Sequence, residues 1–191
     1  LSASNDRVLV ICGDSTAARY RNYDGIVGWG EAIPDWINSG TRVVDLAVPG
    51  TNASDCLRDV LPDALRLEPD YALVQFGHNA NDSTREARAI DSLVAAFRRV
   101  GTKIVLITPM ETRGLRQRHV DLDSGMRASA ERLEVPLVKL DSLSHARWIS
   151  AGPDSLAGFF VDSIHTRAAG AEVVARMIAD ALGLTVSELA R

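Results

Sequence analysis

Short apolar runs punctuate the chain at Arg7–Cys12, Arg42–Ala47, Tyr71–Phe76, Lys103–Thr108 and Leu137–Leu140. Each is rich in β-branched residues, and turn residues bound most of them, so they predict five buried strands. Their near-continuous apolarity points to parallel strands covered on both faces. The segments between them have helical periodicity. Thr84–Val100 places Ala87, Ile90, Val94 and Phe97 on one face, with Gly101 as a stop. Thr166 is expected to cap a last helix that turns Val173, Val174, Met177, Ile178 and Ala181 inward. Gly183 is expected to close that helix, and Gly170 inside it is a mild cost. Asp121–Leu133 reads as a further helix, and Trp36 and Trp148 fall in helix-like segments where core packing is the natural role. Strand alternating with helix predicts an open α/β three-layer sandwich. No repeat, low-complexity tract or linker divides the chain, so residues 1–191 are expected to form one domain.

Composition narrows the function. The formal charge is −4 over 191 residues, which argues against a nucleic-acid binder that needs a basic face. No run of 18 apolar residues exists, so no membrane-spanning helix is expected. The two cysteines, Cys12 and Cys56, are too few for a disulfide framework or a cysteine-rich zinc site, and the sequence leaves their pairing open. Leu1–Asp6 is not itself a signal peptide, though it fits what remains after one is removed.

In open α/β sheets ligands bind at the carboxyl ends of the strands, so the residues after each strand carry the chemistry. Gly13-Asp14-Ser15-Thr16 follows the first run, Pro49-Gly50-Thr51-Asn52 the second, and Gly77-His78-Asn79 the third. Pro109 and an arginine-rich loop follow the fourth, and Asp162-Ser163-Ile164-His165 precedes the last helix. Ser15 is the candidate nucleophile, at a turn expected to lead into a helix whose N-terminus favours a developing anion. A serine hydroxyl needs a base, and His165 is the candidate. Asp162, three residues earlier, is placed to orient the imidazole. The Ser15 and Gly50 backbone N–H groups and the Asn79 amide are candidate oxyanion donors. Each feature alone has a plain structural reading: a helix cap, a surface His–Asp pair, a turn glycine, a turn asparagine. Their joint occurrence at the strand ends favours chemistry.

These four blocks resemble those of the SGNH (GDSL-type) hydrolase superfamily, from residue 7 to about 182. Gly28-Trp29-Gly30, Gln75-Phe76-Gly77-His78-Asn79, Thr108-Pro109 and Asp162-x-x-His165-Thr166 with Ala169-Gly170-Ala171 are similar to the rhamnogalacturonan acetylesterase branch of carbohydrate esterases. One departure stands out: the third block usually reads Gly-x-Asn-Asp, and Ala80 replaces its Asp, with Asp82 two residues on. The resemblance implies a five-stranded parallel sheet in the flavodoxin-like order 2-1-3-4-5. It also implies two-step acyl transfer by Ser15, Asp162 and His165, with Ser15, Gly50 and Asn79 as the oxyanion hole and with no metal or organic cofactor. The expected substrate is a small-molecule ester or an acetylated carbohydrate, pectic or other polysaccharide, and no nucleic acid. A secreted or periplasmic location fits such a substrate better than a cytoplasmic one.

Trp29, His78, Arg113 and Arg116 are the candidate substrate contacts. Trp29 is suited to stack on a sugar or to pack in the core. Arg113 and Arg116, with Arg118, are suited to bind carboxylates of an acidic polymer or to sit on a solvated loop. Asp154–Asp162, with Phe159 and Phe160, reads as a wall of the acyl pocket or as an anchor for the His165 loop. Two other readings stand beside the deacetylase: a lysophospholipase, thioesterase or arylesterase on the same fold, and a catalytically silent carbohydrate-binding or interaction module.

Overall fold

The computed structural model describes residues 7–20, 25–112, 125–185 and 189. One parallel sheet organises them in the order β2-β1-β3-β4-β5. The strands are β1 (Arg7–Gly13), β2 (Thr41–Asp45), β3 (Tyr71–Gln75), β4 (Lys103–Ile107) and β5 (Leu137–Val138). Each overlaps the apolar run that predicted it, and the sheet order is the one the resemblance implied. β1 lies beside both β2 and β3, pairing Ile11 with Asp45 on one side and Gly13 with Gln75 on the other.

Alternation along the strands splits the core into two layers. Leu9 and Ile11 of β1, Tyr71 and Leu73 of β3, and Val105 and Ile107 of β4 face one layer. Val10, Cys12, Ala72, Val74, Ile104 and Leu106 face the other. Apolar side chains on both faces are why the strands read as continuous runs rather than alternating ones.

Helices cover each layer. A short helix α1 (Trp29–Ala32) runs into a 3-10 turn, Ile33–Trp36. The segment labelled α2 runs from Ala53–Asp55 through a π-turn, Cys56–Val60, into Leu61–Arg66. Next come α3 (Ser83–Arg99), α4 over residues 125–132, α5 (Leu140–Phe159) and α6 (Ala168–Thr185). Helices α2, α3 and α4 pack on the Val10 face, whereas α1, α5 and α6 pack on the Leu9 face. Asp82 caps α3 by accepting from the N–H groups of Thr84 and Arg85. Its buried stripe is Ala89, Ile90, Leu93, Val94, Ala96 and Phe97, with Ala87 at the edge. Trp148 is buried, and Trp36 is half-buried with its indole N–H donating to Glu172.

The last helix departs from expectation at both ends. It begins at Ala168 and runs through Gly183 to Thr185. Thr166 is not its cap, because the hydroxyl donates instead to the Val27 carbonyl at 2.7 Å. Gly170 has a packing reason: a Cβ there would sit 2.2 Å from the Phe159 carbonyl oxygen. Cys12 and Cys56 are both buried and free. The neighbouring Cys56 thiol and burial push the Cys12 thiol up. Among the described residues no helix is long and apolar enough to cross a membrane.

Asp45 closes β2 with its Oδ1 accepting from the Ala47 N–H, while Oδ2 is buried without a partner. Burial raises its pKa to about 6, against the pull of the Ala47 and Arg19 N–H groups and the Arg19 charge. The folded state therefore holds this proton more tightly than the unfolded chain does. The contribution of Asp45 to stability falls as pH rises through about 4 to 6 and is constant above. Asp45→Asn removes the penalty. In urea melts the variant should gain about 2–3 kcal/mol on wild type between roughly pH 4 and pH 8. A gain independent of pH would refute the assignment.

Candidate active site

The nucleophile turn is built from the end of β1. Asp14 is fully buried, and its Oδ1 accepts from the Thr16 N–H at 2.9 Å and the Thr16 hydroxyl at 2.8 Å. The Ala17 and Ala18 N–H groups both donate to the Asp14 carbonyl. Ser15 thus sits on a single tight turn and not at the start of a helix, a correction to the sequence expectation. Ser15 is half-buried and lines the cleft.

Gly28-Trp29-Gly30 braces this turn from outside. The Trp29 and Gly30 N–H groups donate to the Thr16 and Ala17 carbonyls, each at 3.0 Å. So close an approach needs glycine, since a Cβ at position 28 would lie 2.2 Å from the Ala18 carbonyl oxygen. Trp29 is 1% exposed, and its indole N–H donates to Gln75 Oε1 at 3.0 Å. It does not line the cleft. The expectation of a substrate contact is corrected: the ring is a core strut, and its one polar atom is spent on Gln75.

The third block supplies Asn79, whose amide donates one proton to the Thr51 carbonyl at 3.0 Å. An amide carries a second, which suits an oxyanion. Gly50 lies on the same cleft wall. His78 is corrected as a substrate contact. Its side chain is 2% exposed, and both ring nitrogens are occupied, Nδ1 by Asp14 Oδ2 at 3.0 Å and Nε2 by the Met110 carbonyl at 3.1 Å. Only the remainder of the residue borders the cleft. Asp82 does not replace the missing Asp of the block, because its carboxylate is the cap of α3. The loop is held instead by the His78 ring, the Asn79–Thr51 bond and the Ala80 N–H on the Gly77 carbonyl.

The Asp162–His165 loop forms the other part of the site. Asp162 Oδ1 accepts from the Ile164 and His165 N–H groups, both at 2.7 Å, and Oδ2 meets His165 Nδ1 at 2.7 Å. Burial opposes the Asp162 charge, yet these three bonds hold its carboxyl below the usual range. With Nδ1–H directed at the carboxylate, Nε2 keeps a free lone pair, as a general base requires. The loop is pinned by the Val161 N–H on the His165 carbonyl at 2.8 Å and by an antiparallel bridge between Phe160 and Thr166. Phe159 and Phe160 pack on Trp148, with ring centroids at 5.8 and 5.3 Å. The Phe pair is therefore an anchor for the loop and not a wall of the cleft.

Ser15, Gly50, Asn79 and His165 line one cleft of about 360 Å³, completed by Tyr20, Ile26, Pro49, His78 and Ile164. Tyr20 went unnoticed in the sequence. Its hydroxyl donates to the Ser15 carbonyl at 3.0 Å, and its ring stands edge-on to His165 at 6.4 Å. No motif marks it; only its place five residues after Ser15, just past the turn, was a signal. Arg113, Arg116 and Arg118 lie outside the described residues. Among the described residues no three His, Cys, Asp or Glu side chains converge as a metal site would need.

A parallel sheet of this order, with Ser, a His–Asp pair, Gly and Asn at one rim, defines an SGNH-type hydrolase site. Residues 11–173 match the GDSL-like Lipase/Acylhydrolase family, and the chain belongs to it. It is 28% identical to the uncharacterized esterase YxiM of Bacillus subtilis (strain 168) over 90% of this chain and 50% of that protein. The rhamnogalacturonan acetylesterase RhgT of the same organism is 23% identical, with 90% of this chain and 88% of RhgT covered. The crystal structure of the B. subtilis YxiM protein superposes with a TM-score of 0.85 at 24% identity, over 94% of this chain and 57% of that one. A catalytic mutant of Axe2, an acetylxylan esterase from Geobacillus stearothermophilus, superposes with a TM-score of 0.74 at 17% identity, over 93% and 94%. At such identities the superpositions establish the fold alone. The chain spans about half the length of YxiM.

Trp29→Phe tests the strut. It removes one buried hydrogen bond, so it should cost about 1–3 kcal/mol in chemical denaturation while leaving KM for p-nitrophenyl acetate unchanged. A raised KM at full stability would restore Trp29 as a substrate contact.

Proposed function

We propose that the protein is a serine esterase that removes small acyl groups, acetyl above all, from carbohydrate. His165, joined to Asp162 at 2.7 Å and lining the cleft that also holds Ser15, Gly50 and Asn79, carries this reading. His165 Nε2 takes the Ser15 hydroxyl proton as Oγ attacks the ester carbonyl. The oxyanion is held by the Ser15 and Gly50 N–H groups and the second proton of the Asn79 amide. Collapse of the tetrahedral species breaks the ester C–O bond, and His165 returns the proton to the leaving alcohol. Water then gives a proton to His165 and attacks the acyl-enzyme; collapse breaks the bond between the acyl carbon and Ser15 Oγ, His165 returns the proton to Oγ, and the acid leaves.

An acyl group is supported by the apolar residues Tyr20, Ile26, Pro49 and Ile164, which line the cleft with Ser15, and a small one by the likeness to acetylesterases. The carbohydrate is supported by the likeness to a rhamnogalacturonan acetylesterase and to an acetylxylan esterase. Arg113 and Arg116 are the proposed contacts to an acidic polymer. A secreted or periplasmic place of action fits such a substrate.

Hydrolysis of p-nitrophenyl esters from acetate to decanoate tests the reading. Acetate should be preferred, and Ser15→Ala should lower kcat by at least about 10³-fold without unfolding the protein. Preference for long chains would move the substrate to lipids or thioesters. Turnover surviving in Ser15→Ala would remove Ser15 as nucleophile, and no activity on any ester would favour a silent module. Arg113→Ala with Arg116→Ala should slow deacetylation of acidic polysaccharide and leave p-nitrophenyl acetate untouched. An equal loss on both substrates would end the polymer-binding role.

A further inference from the structure

His78 takes no part in the acyl transfer above, yet it is among the most heavily committed side chains at the rim. Its side chain is 2% exposed and that of Asp14 is fully buried. A neutral imidazole has one N–H and one lone pair. Here both ring nitrogens face oxygens. The Met110 carbonyl, 3.1 Å from Nε2, can only accept, so Nε2 carries a proton. Asp14 Oδ1 already accepts two hydrogen bonds from Thr16, which stabilises the ionised carboxylate. Its Oδ2, 3.0 Å from Nδ1, is then an acceptor as well, and Nδ1 carries the other proton.

The chain positions give this charge a use. Asp14 immediately precedes Ser15, and His78 immediately precedes Asn79. The pair therefore ties the nucleophile to the amide donor of the oxyanion hole, one peptide removed on each side. Met110, beyond the end of β4, extends the tie to a third strand end. We propose that His78 is a permanently protonated positioning residue, whose buried pairing with Asp14 sets the separation between Ser15 and Asn79.

The electrostatics agree with the geometry. Burial opposes the charge on His78, but the Asp14 carboxylate and the Met110 carbonyl outweigh it and raise the pKa above the ordinary 6.5. Burial likewise opposes the Asp14 charge, and His78 with the two Thr16 bonds keeps its carboxyl below 3.8. Asp14 is the carboxylate paired with His78. Glu86 of α3, pushed up by burial and in part by Asp14, is the next carboxyl in electrostatic reach of the pair. Removing one partner strands a buried charge on the other.

The charge state is read by NMR of the wild-type protein with 15N-labelled histidine, at a pH well above 6.5. His78 is assigned by its loss in His78→Gln or by proximity to Met110. Both ring nitrogens should carry protons there; a single protonated nitrogen overturns the proposal. The kinetic half rests on the esterase reading and uses p-nitrophenyl acetate. A shift of the loops by about an ångström costs up to about 10²-fold in rate, so kcat should fall about 10- to 100-fold in His78→Leu with KM little changed. His78→Gln, which keeps a donor for Asp14, should fall less. If each variant loses thermal stability but its folded fraction keeps the wild-type kcat, the positioning role is overturned. The two failures separate cleanly: loss of the serine reading shows as turnover in Ser15→Ala, and loss of this one as a neutral His78 ring.

Discussion

A carboxylate with no solvent exposure governs how the site is assembled. Asp14 is buried at the end of β1, where an ionised oxygen without donors is costly. Its donors come from its own turn, through Thr16, and from the loop after β3, through His78. The network spreads further. The Thr16 hydroxyl also lies 3.0 Å from Gln75 Oε1, which accepts from Trp29. In this way one charge fixes the turn that carries Ser15, the loop that carries Asn79 and the brace at Gly28-Trp29-Gly30. The parallel sheet makes the convergence possible, because β1 and β3 are neighbours and Gly13 pairs with Gln75.

The two His–Asp pairs of the rim differ where their tasks differ. His78 and Asp14 are 2% and 0% exposed, whereas His165 and Asp162 are 26% and 49% exposed. A pair that holds loops together gains from burial, where its geometry is locked and its charge is hard to remove. A pair that passes protons must meet substrate and water. The His165 loop has anchors of its own. The Trp148–Phe160 contact fastens it from one side, and the Thr166–Val27 bonds fasten it to the residue just before the Gly28-Trp29-Gly30 brace. Tyr20 links the two, bonded to the Ser15 carbonyl and edge-on to His165.

Strands were legible because burial on both faces leaves a local trace. Leu9, Val10, Ile11 and Cys12 are all fully buried, two toward each layer, and no surface pattern imitates that. The chemical residues were legible because three short blocks fall at the ends of β1, β2 and β3 and a fourth precedes the last helix. Roles that depend on distant partners were not. Trp29 meets Gln75 across 46 residues, and Thr166 meets Val27 across 139. An aromatic residue in a glycine-rich loop and a threonine before a helix look locally like a sugar platform and a cap. Only the long-range hydrogen bonds make them a strut and a clamp. Tyr20 carries no motif, and its function arises from where its ring comes to rest.

The sequence by itself determined the alternation of strand and helix, the two-sided burial of the sheet and the identity of the chemical groups. These depend on composition within a few residues of each position. Tertiary structure decided which of those groups face solvent and which face one another. His78 illustrates the division. As a residue after a buried strand it was a reasonable substrate contact. Folding buries its ring against Asp14 and Met110, 64 and 32 residues away. Which oxygens meet an imidazole, and hence how many protons it holds, is set by packing across the sheet and is written nowhere in the local chain.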